Sequence, residues 1–227
     1  MTVFKDVFEI FFPDRCRVCK KTLTIGEDIL CLSCLSELPV TNFTNERNNP
    51  LEKSFAGRIP VEMGTALLFY AKGSPVQMLI QQLKYKNDEA IGSFFGKWLG
   101  EQLKNNKNFE QIDLILPVPL HPKKLKKRGY NQLTKFGGQI SQQLQKPYDE
   151  DLLLRKVYLE TQTKKDRAHR ILNEDIFAVH DLESIKNKHI LIIDDVITTG
   201  ATLESCCNAL FKGDNVKVSI AALAFTE

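Results

Sequence analysis

The amino-acid sequence predicts an α/β fold, in which a parallel sheet flanked by helices follows a small N-terminal module with four cysteines. Residues 190–193 form an unbroken apolar run, which suits a parallel strand covered on both faces. The length of 227 residues accommodates one α/β domain and a small module. Hydrophobic residues make up 43% of the chain, as in soluble globular proteins, and a net charge of +3 is too small to argue for nucleic acid by itself.

The four cysteines form two Cys-x-x-Cys pairs, Cys16 with Cys19 and Cys31 with Cys34, which are separated by eleven residues. Each pair can hold one edge of a metal ion, and together they offer the tetrahedral thiolate ligation that suits zinc. Two disulfides or four unrelated thiols are the alternatives, but the lack of a secretion signal predicts a reducing compartment, which disfavours disulfides. A zinc site closed by four protein ligands would be structural.

The first twelve residues are rich in phenylalanine but also carry Asp6 and Glu9. They lack the long apolar core and the small-residue cleavage site of a signal peptide. We therefore expect a short amphipathic helix that docks on the body of the protein. No apolar run approaches the length of a membrane span, so the sequence predicts a cytoplasmic protein without one.

The segment over residues 41–58 is polar and contains several asparagines and Pro50, a composition typical of a linker or loop. We accordingly assign residues 1–45 to the cysteine module, 46–60 to a linker and 61–227 to the α/β domain.

The α/β domain begins with a predicted strand over residues 61–70. Ser74 is expected to cap the following helix, which has Pro75 at its first position. A second helix over residues 89–103 and a short buried strand over residues 112–116 come next.

That strand runs into Pro117, Val118, Pro119 and Leu120, and because proline cannot extend a central strand the chain must leave the sheet here. The basic stretch over residues 123–128 follows. It is either a solvated surface segment or a mobile arm that closes over a pyrophosphate or a nucleic acid backbone, and composition favours neither. The remaining predicted elements are a helix carrying Leu133, Phe136, Ile140 and Leu144 on its inner face, and strands over residues 152–157, 176–179 and 216–225.

The most informative stretch continues from the apolar strand into two adjacent acids, a small polar loop and a helix that begins near Thr202. Free backbone N–H groups at such a turn, with the positive end of the helix dipole, favour a phosphate. The two carboxylates fit the vicinal hydroxyls of a ribose, or an Mg²⁺ ion that neutralises a second phosphate. The acids alone would favour a capped strand with a solvated turn, but with the loop attached we favour a sugar-phosphate site. Its predicted ligands are Asp194, Asp195, Thr198, Thr199, Gly200, Ala201 and Thr202.

This stretch resembles the phosphoribosyl pyrophosphate signature of type I phosphoribosyltransferases. The order of motifs along nearly the whole chain is similar to that of ComF-type proteins of bacterial competence and DNA uptake, which join a four-cysteine motif to a phosphoribosyltransferase-like domain. The motifs are the four cysteines, Leu83-Lys84-Tyr85, residues 117–120, residues 128–132, Arg155, Gln162, Arg167, Arg170, Asn173, Phe177 and residues 194–202.

The resemblance implies that Asp194 and Asp195 bind the ribose hydroxyls, that residues 198–202 hold the 5-phosphate, and that residues 117–120 approach the pyrophosphate with backbone N–H groups. Thr198 stands where hypoxanthine-type members carry an aspartate base, so no obvious general base is encoded in the loop. Transfer would then rest on Mg²⁺ and on basic groups such as Lys84 and Arg128, which draw off pyrophosphate.

Two functions are open. The first is a phosphoribosyltransferase of natural competence or DNA uptake, with Mg²⁺-dependent release of pyrophosphate, and the intact signature supports it. The second is a non-catalytic adaptor that binds single-stranded DNA or a helicase-like partner, with the phosphoribosyl site as a sensor or relic. The basic stretch and the cysteine module support the adaptor, whereas the scarcity of aromatic residues near that stretch argues against base stacking.

Overall fold

The computed structural model describes residues 13–156 and 176–226. The strands are β1 Gly64–Phe69, β2 Leu114–Pro117, β3 Leu153–Arg155, β4 Phe177–Val179, β5 His189–Ile197 and β6 Lys217–Phe225. The helices are α1 Leu32–Ser36, α2 Pro50–Phe55, α3 Pro75–Tyr85, α4 Glu89–Lys104, α5 Pro122–Arg128, α6 Thr134–Leu144 and α7 Ala201–Leu210. The helix predicted over residues 1–12 and the motif residues Gln162, Arg167, Arg170 and Asn173 lie outside the described residues.

Within these ranges, four strands form a parallel sheet in the order β1-β6-β5-β2, and β3 pairs separately with β4 in antiparallel orientation. Strands β5 and β6 occupy the centre and are buried along most of their length. Burial on both faces explains why their sequences are apolar runs and not alternating patterns. The predicted parallel sheet with flanking helices and an N-terminal four-cysteine cluster is confirmed.

Strand β5 extends beyond the point where the sequence predicted its end. Its partner β2 stops at Pro117, opposite Ile193, but β5 continues beside β6 as far as Ile197. Asp194 and Asp195 therefore lie within the strand and do not follow it. Because β2 has already left the sheet, this part of β5 has a neighbouring strand on one side, which leaves the other side to loops and side chains.

Helices α4 and α6 pack closely because α4 presents glycines at four-residue intervals, which places them on one face. A Cβ atom added at Gly96 would lie 2.4 Å from the carbonyl oxygen of Phe136, and one added at Gly100 would lie 2.9 Å from the Cβ of Gln143. The two backbones can therefore approach only without side chains at these positions.

The segment predicted to be a linker contains helix α2, whose Leu51 and Phe55 side chains are fully buried. Asn49 caps this helix by accepting a hydrogen bond from the Glu52 N–H, and Pro50 occupies the first position. The polar composition was misleading because asparagine and proline are as typical of helix N-termini as of loops. The division into 1–45, 46–60 and 61–227 stays a prediction.

The basic stretch forms a helix and not a loop. Helix α5 begins with Pro122 and ends at Gly129, which adopts a left-handed conformation with φ of 79°. Such a proline start and glycine end are favourable helix boundaries. Among the described residues, no helix combines the length and the apolar character needed to cross a membrane.

Candidate phosphoribosyl site

Asp194 and Asp195 lie side by side on β5, and the Asp195 N–H donates a hydrogen bond of 2.8 Å to Oδ1 of Asp194. Burial, together with the neighbouring Asp195 charge, raises the pKa of Asp194 to about 8. The Lys84 ammonium lies 2.7 Å from Oδ1 of Asp195. The Asp195 carboxylate thus forms an ion pair with Lys84 beside the Asp194 carboxyl, which is protonated more easily than a free aspartate.

A chain of side chains fixes the second oxygen of Asp195. Gln132 donates a hydrogen bond of 2.8 Å from Nε2 to Oδ2 of Asp195, and Arg128 donates to Oε1 of the same glutamine. Sequence reasoning placed Gln132 in a motif but gave it no partner. Because 63 positions separate Gln132 from Asp195, no local spacing could have revealed the contact.

The predicted phosphate loop, residues 198–202, connects β5 to α7. Thr198, Thr199, Ala201 and Thr202 are exposed, and Gly200 adopts a left-handed conformation with φ of 73°. The loop thus presents threonine hydroxyls to solvent at the start of a ten-residue helix, and the Ala201 N–H donates to Oγ1 of Thr199 at 3.4 Å. Hydroxyl donors and the positive end of a helix dipole suit an anion, and the phosphate role of this loop stays a prediction.

The segment around α2 packs against the predicted phosphate loop and supports it. A Cβ atom added at Gly200 would lie 2.7 Å from the Phe55 ring, so the glycine permits this close packing. Arg58 donates a hydrogen bond of 2.9 Å to the carbonyl oxygen of Thr199 and pairs with Glu204 of α7. Sequence reasoning missed both Phe55 and Arg58, because the polar composition of this segment is typical of a linker.

The turn over residues 117–120 offers few backbone donors. Pro117 and Pro119 carry no N–H, and the Val118 N–H donates to the carbonyl oxygen of Ile193 at 2.9 Å. Backbone donation from this turn to a pyrophosphate therefore falls to Leu120. The turn itself follows β2 directly, as the sequence predicted, and lies beside β5.

A cavity of about 490 Å³ opens next to Lys84, and we call it the basic cavity. Its described lining includes five cationic side chains and no carboxylate. Within it, the Arg128 guanidinium lies 5.1 Å from the centre of the Tyr85 ring, and the Tyr130 hydroxyl donates to the carbonyl oxygen of Leu83. The lining residues are Lys84, Tyr85, Lys86, Asn87, Lys124, Lys127, Arg128 and Tyr130.

The four N-terminal cysteines are brought together, with all Sγ atoms within 4.8 Å of one another and those of Cys19 and Cys31 3.6 Å apart. Tetrahedral zinc with bonds of about 2.3 Å requires sulfur–sulfur distances of about 3.8 Å, so the four thiols fit one ion. Burial raises the pKa of Cys16, but backbone hydrogen bonds at residues 31, 19 and 18 outweigh it and lower the pKa to about 6. The thiolate form, which binds metals, is thereby favoured at Cys16, whereas burial and the neighbouring thiols raise the pKa of Cys34.

The cysteine module contacts the helix that carries Lys84. Arg17, which lies between Cys16 and Cys19, pairs with Asp88 at 2.6 Å, and its carbonyl oxygen accepts a hydrogen bond of 3.1 Å from Gln82. Gln82 is buried two residues before Lys84. The module is thus connected to the phosphoribosyl site through the end of α3, a contact that sequence patterns did not predict.

Comparison with known proteins agrees with this geometry. A model of the phosphoribosyl transferase domain matches residues 134–226. Competence protein F of Haemophilus influenzae is 27% identical over 94% of this chain and 98% of its own length. DNA utilization protein YhgH of Escherichia coli K12 is 25% identical over the same shares. Competence protein ComFC of Bacillus subtilis is 28% identical over 66% of this chain and 60% of its own.

Solved structures show a more distant likeness. The glutamine phosphoribosylpyrophosphate amidotransferase of B. subtilis is 18% identical with a TM-score of 0.42, over 62% of this chain and 30% of that enzyme. Adenine phosphoribosyltransferase from Leishmania tarentolae is 14% identical with a TM-score of 0.39, over 74% and 93% of the two chains.

The matched domain, together with the parallel sheet and its flanking helices, defines a phosphoribosyltransferase-like fold. The relatives that align over nearly its full length are competence and DNA utilization proteins. These relatives, together with the matched domain, support the similarity of this chain to ComF-type proteins.

Proposed function

We propose that the chain binds phosphoribosyl pyrophosphate beside β5 and transfers the phosphoribosyl group to an acceptor in DNA uptake or utilization. The observation that carries this proposal is that the acid pair on β5 leads directly into an exposed loop at a helix N-terminus and contacts a cation-lined cavity through Lys84. Asp194 and Asp195 would accept the ribose hydroxyls, and residues 198–202 would donate to the 5-phosphate. Leu120 and the cations of the basic cavity would receive the pyrophosphate.

In this reaction the bond between C1 of the ribose and the pyrophosphate oxygen breaks, pyrophosphate leaves with the electron pair, and the acceptor forms a new bond to C1. Lys84 and Arg128 lie at the basic cavity, where they would stabilise the charge of the leaving pyrophosphate. Mg²⁺, held through the carboxylates of Asp194 and Asp195, would add charge neutralisation. Because the phosphate loop carries no carboxylate, the acceptor would need a nucleophile that requires no deprotonation by this loop.

Calorimetry with phosphoribosyl pyrophosphate, with and without Mg²⁺, tests the assignment. We expect Mg²⁺-dependent binding by the wild type and a loss of at least about 100-fold in the Asp194→Ala/Asp195→Ala variant, since hydrogen bonds to charged groups contribute about 1.5–3 kcal/mol each. Asp214→Ala, which removes a carboxylate that is 75% exposed and pairs with Lys186, is the control and should bind like the wild type. Equal binding by the double variant would refute the site.

We further propose that the cysteine module holds a structural zinc ion, because its four thiols fit tetrahedral ligation. The cytoplasm is the compartment that suits such a site, since a reducing environment keeps the thiols available for metal.

The second candidate function is an adaptor that binds single-stranded DNA, and the exposed basic helix α5 with the basic cavity favours it. If so, affinity for a fluorescent single-stranded oligonucleotide should fall steeply with salt, and Lys124→Glu/Lys127→Glu should bind more weakly with a shallower salt dependence. Lys107→Glu, outside the basic cavity, is the control. If no binding occurs even at low salt, the adaptor function is restricted to protein contacts such as a helicase-like partner.

A further inference from the structure

The Asp195 carboxylate is covered by protein, although it is one of the two acids proposed to receive the ribose. Its side chain is 5% exposed, Lys84 lies 2.7 Å from Oδ1, and Gln132 donates to Oδ2 at 2.8 Å. Both oxygens already have a partner. A sugar hydroxyl can reach Asp195 only after one of these two side chains has moved.

The two partners differ in their freedom to move. Gln132 is 7% exposed, and the oxygen of its side-chain amide, Oε1, accepts a hydrogen bond from Arg128. Lys84 lies in the last turn of α3, its side chain is 23% exposed, and it lines the basic cavity. Its unbranched side chain can rotate towards the cavity, so Lys84 is the partner that can leave.

The charges of the basic cavity determine where the Lys84 ammonium is most stable. When the cavity holds no anion, Lys86, Lys124, Lys127 and Arg128 repel a fifth cation, and the Asp195 carboxylate attracts it. A polyanion in the cavity would neutralise those four charges and attract Lys84. The Lys84 ammonium would then be more stable in the cavity than beside Asp195.

We propose that Lys84 is a gate between the basic cavity and the ribose site, and this rests on the proposed function. In the ligand-free protein the ammonium blocks Asp195. A pyrophosphate group in the cavity draws Lys84 away, and Asp195 is then free to accept the ribose hydroxyls. Pyrophosphate and the ribose phosphate therefore bind with positive cooperativity, and Lys84 is the positioning residue that couples them.

The experiment measures the affinity of the wild type for ribose 5-phosphate by calorimetry in EDTA, with and without saturating inorganic pyrophosphate. We expect pyrophosphate to tighten ribose 5-phosphate binding by about tenfold, within the usual range of coupling between two sites. The Lys84→Met variant should bind ribose 5-phosphate in the absence of pyrophosphate about as tightly as the wild type does in its presence. Added pyrophosphate should change the affinity of this variant for ribose 5-phosphate only slightly. A purely structural role of Lys84 would weaken binding in both conditions.

Lys86→Met is the matched control, because it removes the same charge from the same cavity without touching Asp195. It should weaken pyrophosphate binding but keep the cooperativity once pyrophosphate is saturating. If Lys84→Met does not fold, Lys84→Ala carries the same expectation, since it likewise leaves Oδ1 of Asp195 without a donor from position 84.

Two results would overturn the gate: equal affinity of the wild type for ribose 5-phosphate with and without pyrophosphate, or unchanged cooperativity in the Lys84 variants. If phosphoribosyl pyrophosphate binds as proposed and either result is found, the gate is refuted and the proposed function stands. If neither phosphoribosyl pyrophosphate nor ribose 5-phosphate binds, the proposed function fails as well.

Discussion

Replacing Gly96 by alanine is expected to lower the free energy of unfolding by about 1–3 kcal/mol, the range typical of overpacking. The added Cβ would lie 2.4 Å from the Phe136 carbonyl oxygen and 2.9 Å from its Cα, so the clash is with backbone atoms. A side chain could rotate away from such a contact, but here helices α4 and α6 must separate. Urea denaturation followed by circular dichroism measures the loss.

Gly138→Ala on helix α6 is the control for this experiment. A Cβ added there meets nothing within 4 Å, and alanine favours a helix over glycine by about 1 kcal/mol. This variant should therefore be as stable as the wild type or more so. Equal destabilisation by both substitutions would show that close contact between α4 and α6 is not the cause.

Loss of the proposed zinc ion from the cysteine module is expected to have the largest effect on folding and ligand binding. Zinc bound by four thiolates contributes on the order of 10 kcal/mol to the folding of small modules, so Cys19→Ser should unfold this one. The module holds the end of α3 through Arg17, Gln82 and Asp88. Without it, affinity for phosphoribosyl pyrophosphate should fall by about tenfold, since Lys84 loses its support.

Metal analysis, circular dichroism and calorimetry together measure this effect. Cys207→Ala removes a buried thiol from helix α7 and should keep the metal content of the wild type. Full metal content in Cys19→Ser would refute four-thiolate ligation. If Arg17→Ala keeps normal metal content and folding but binds phosphoribosyl pyrophosphate more weakly, the loss of affinity comes from the broken contact between the module and α3.

The parts of the site that are contiguous in the chain were predictable. The apolar run at residues 190–193 predicted a central strand, and the acids and phosphate loop follow within ten residues, so their chemistry could be read together. The pair spacing of the four cysteines likewise predicted their clustering, which the structure confirms.

The parts that depend on tertiary packing were not predictable. The basic cavity joins the end of α3 to α5, about 40 positions further along the chain, and no periodicity relates them. The contacts of Lys84 and Gln132 with Asp195 likewise join residues that are far apart in the chain. The true end of β5 depends on where β2 leaves the sheet, which is a property of the neighbouring strand.

The position of Phe55 beneath Gly200 has a consequence for dividing this chain into transferable pieces. Phe55 and Arg58 support a loop that is encoded more than 140 positions later, so the structural unit that presents the loop begins before residue 61. A chimaera that takes this chain from residue 61 onwards would contain the loop over residues 198–202 but not the Phe55 ring against which Gly200 packs. The natural junction for exchanging this unit between proteins lies upstream of Asn49, where the capped helix α2 begins.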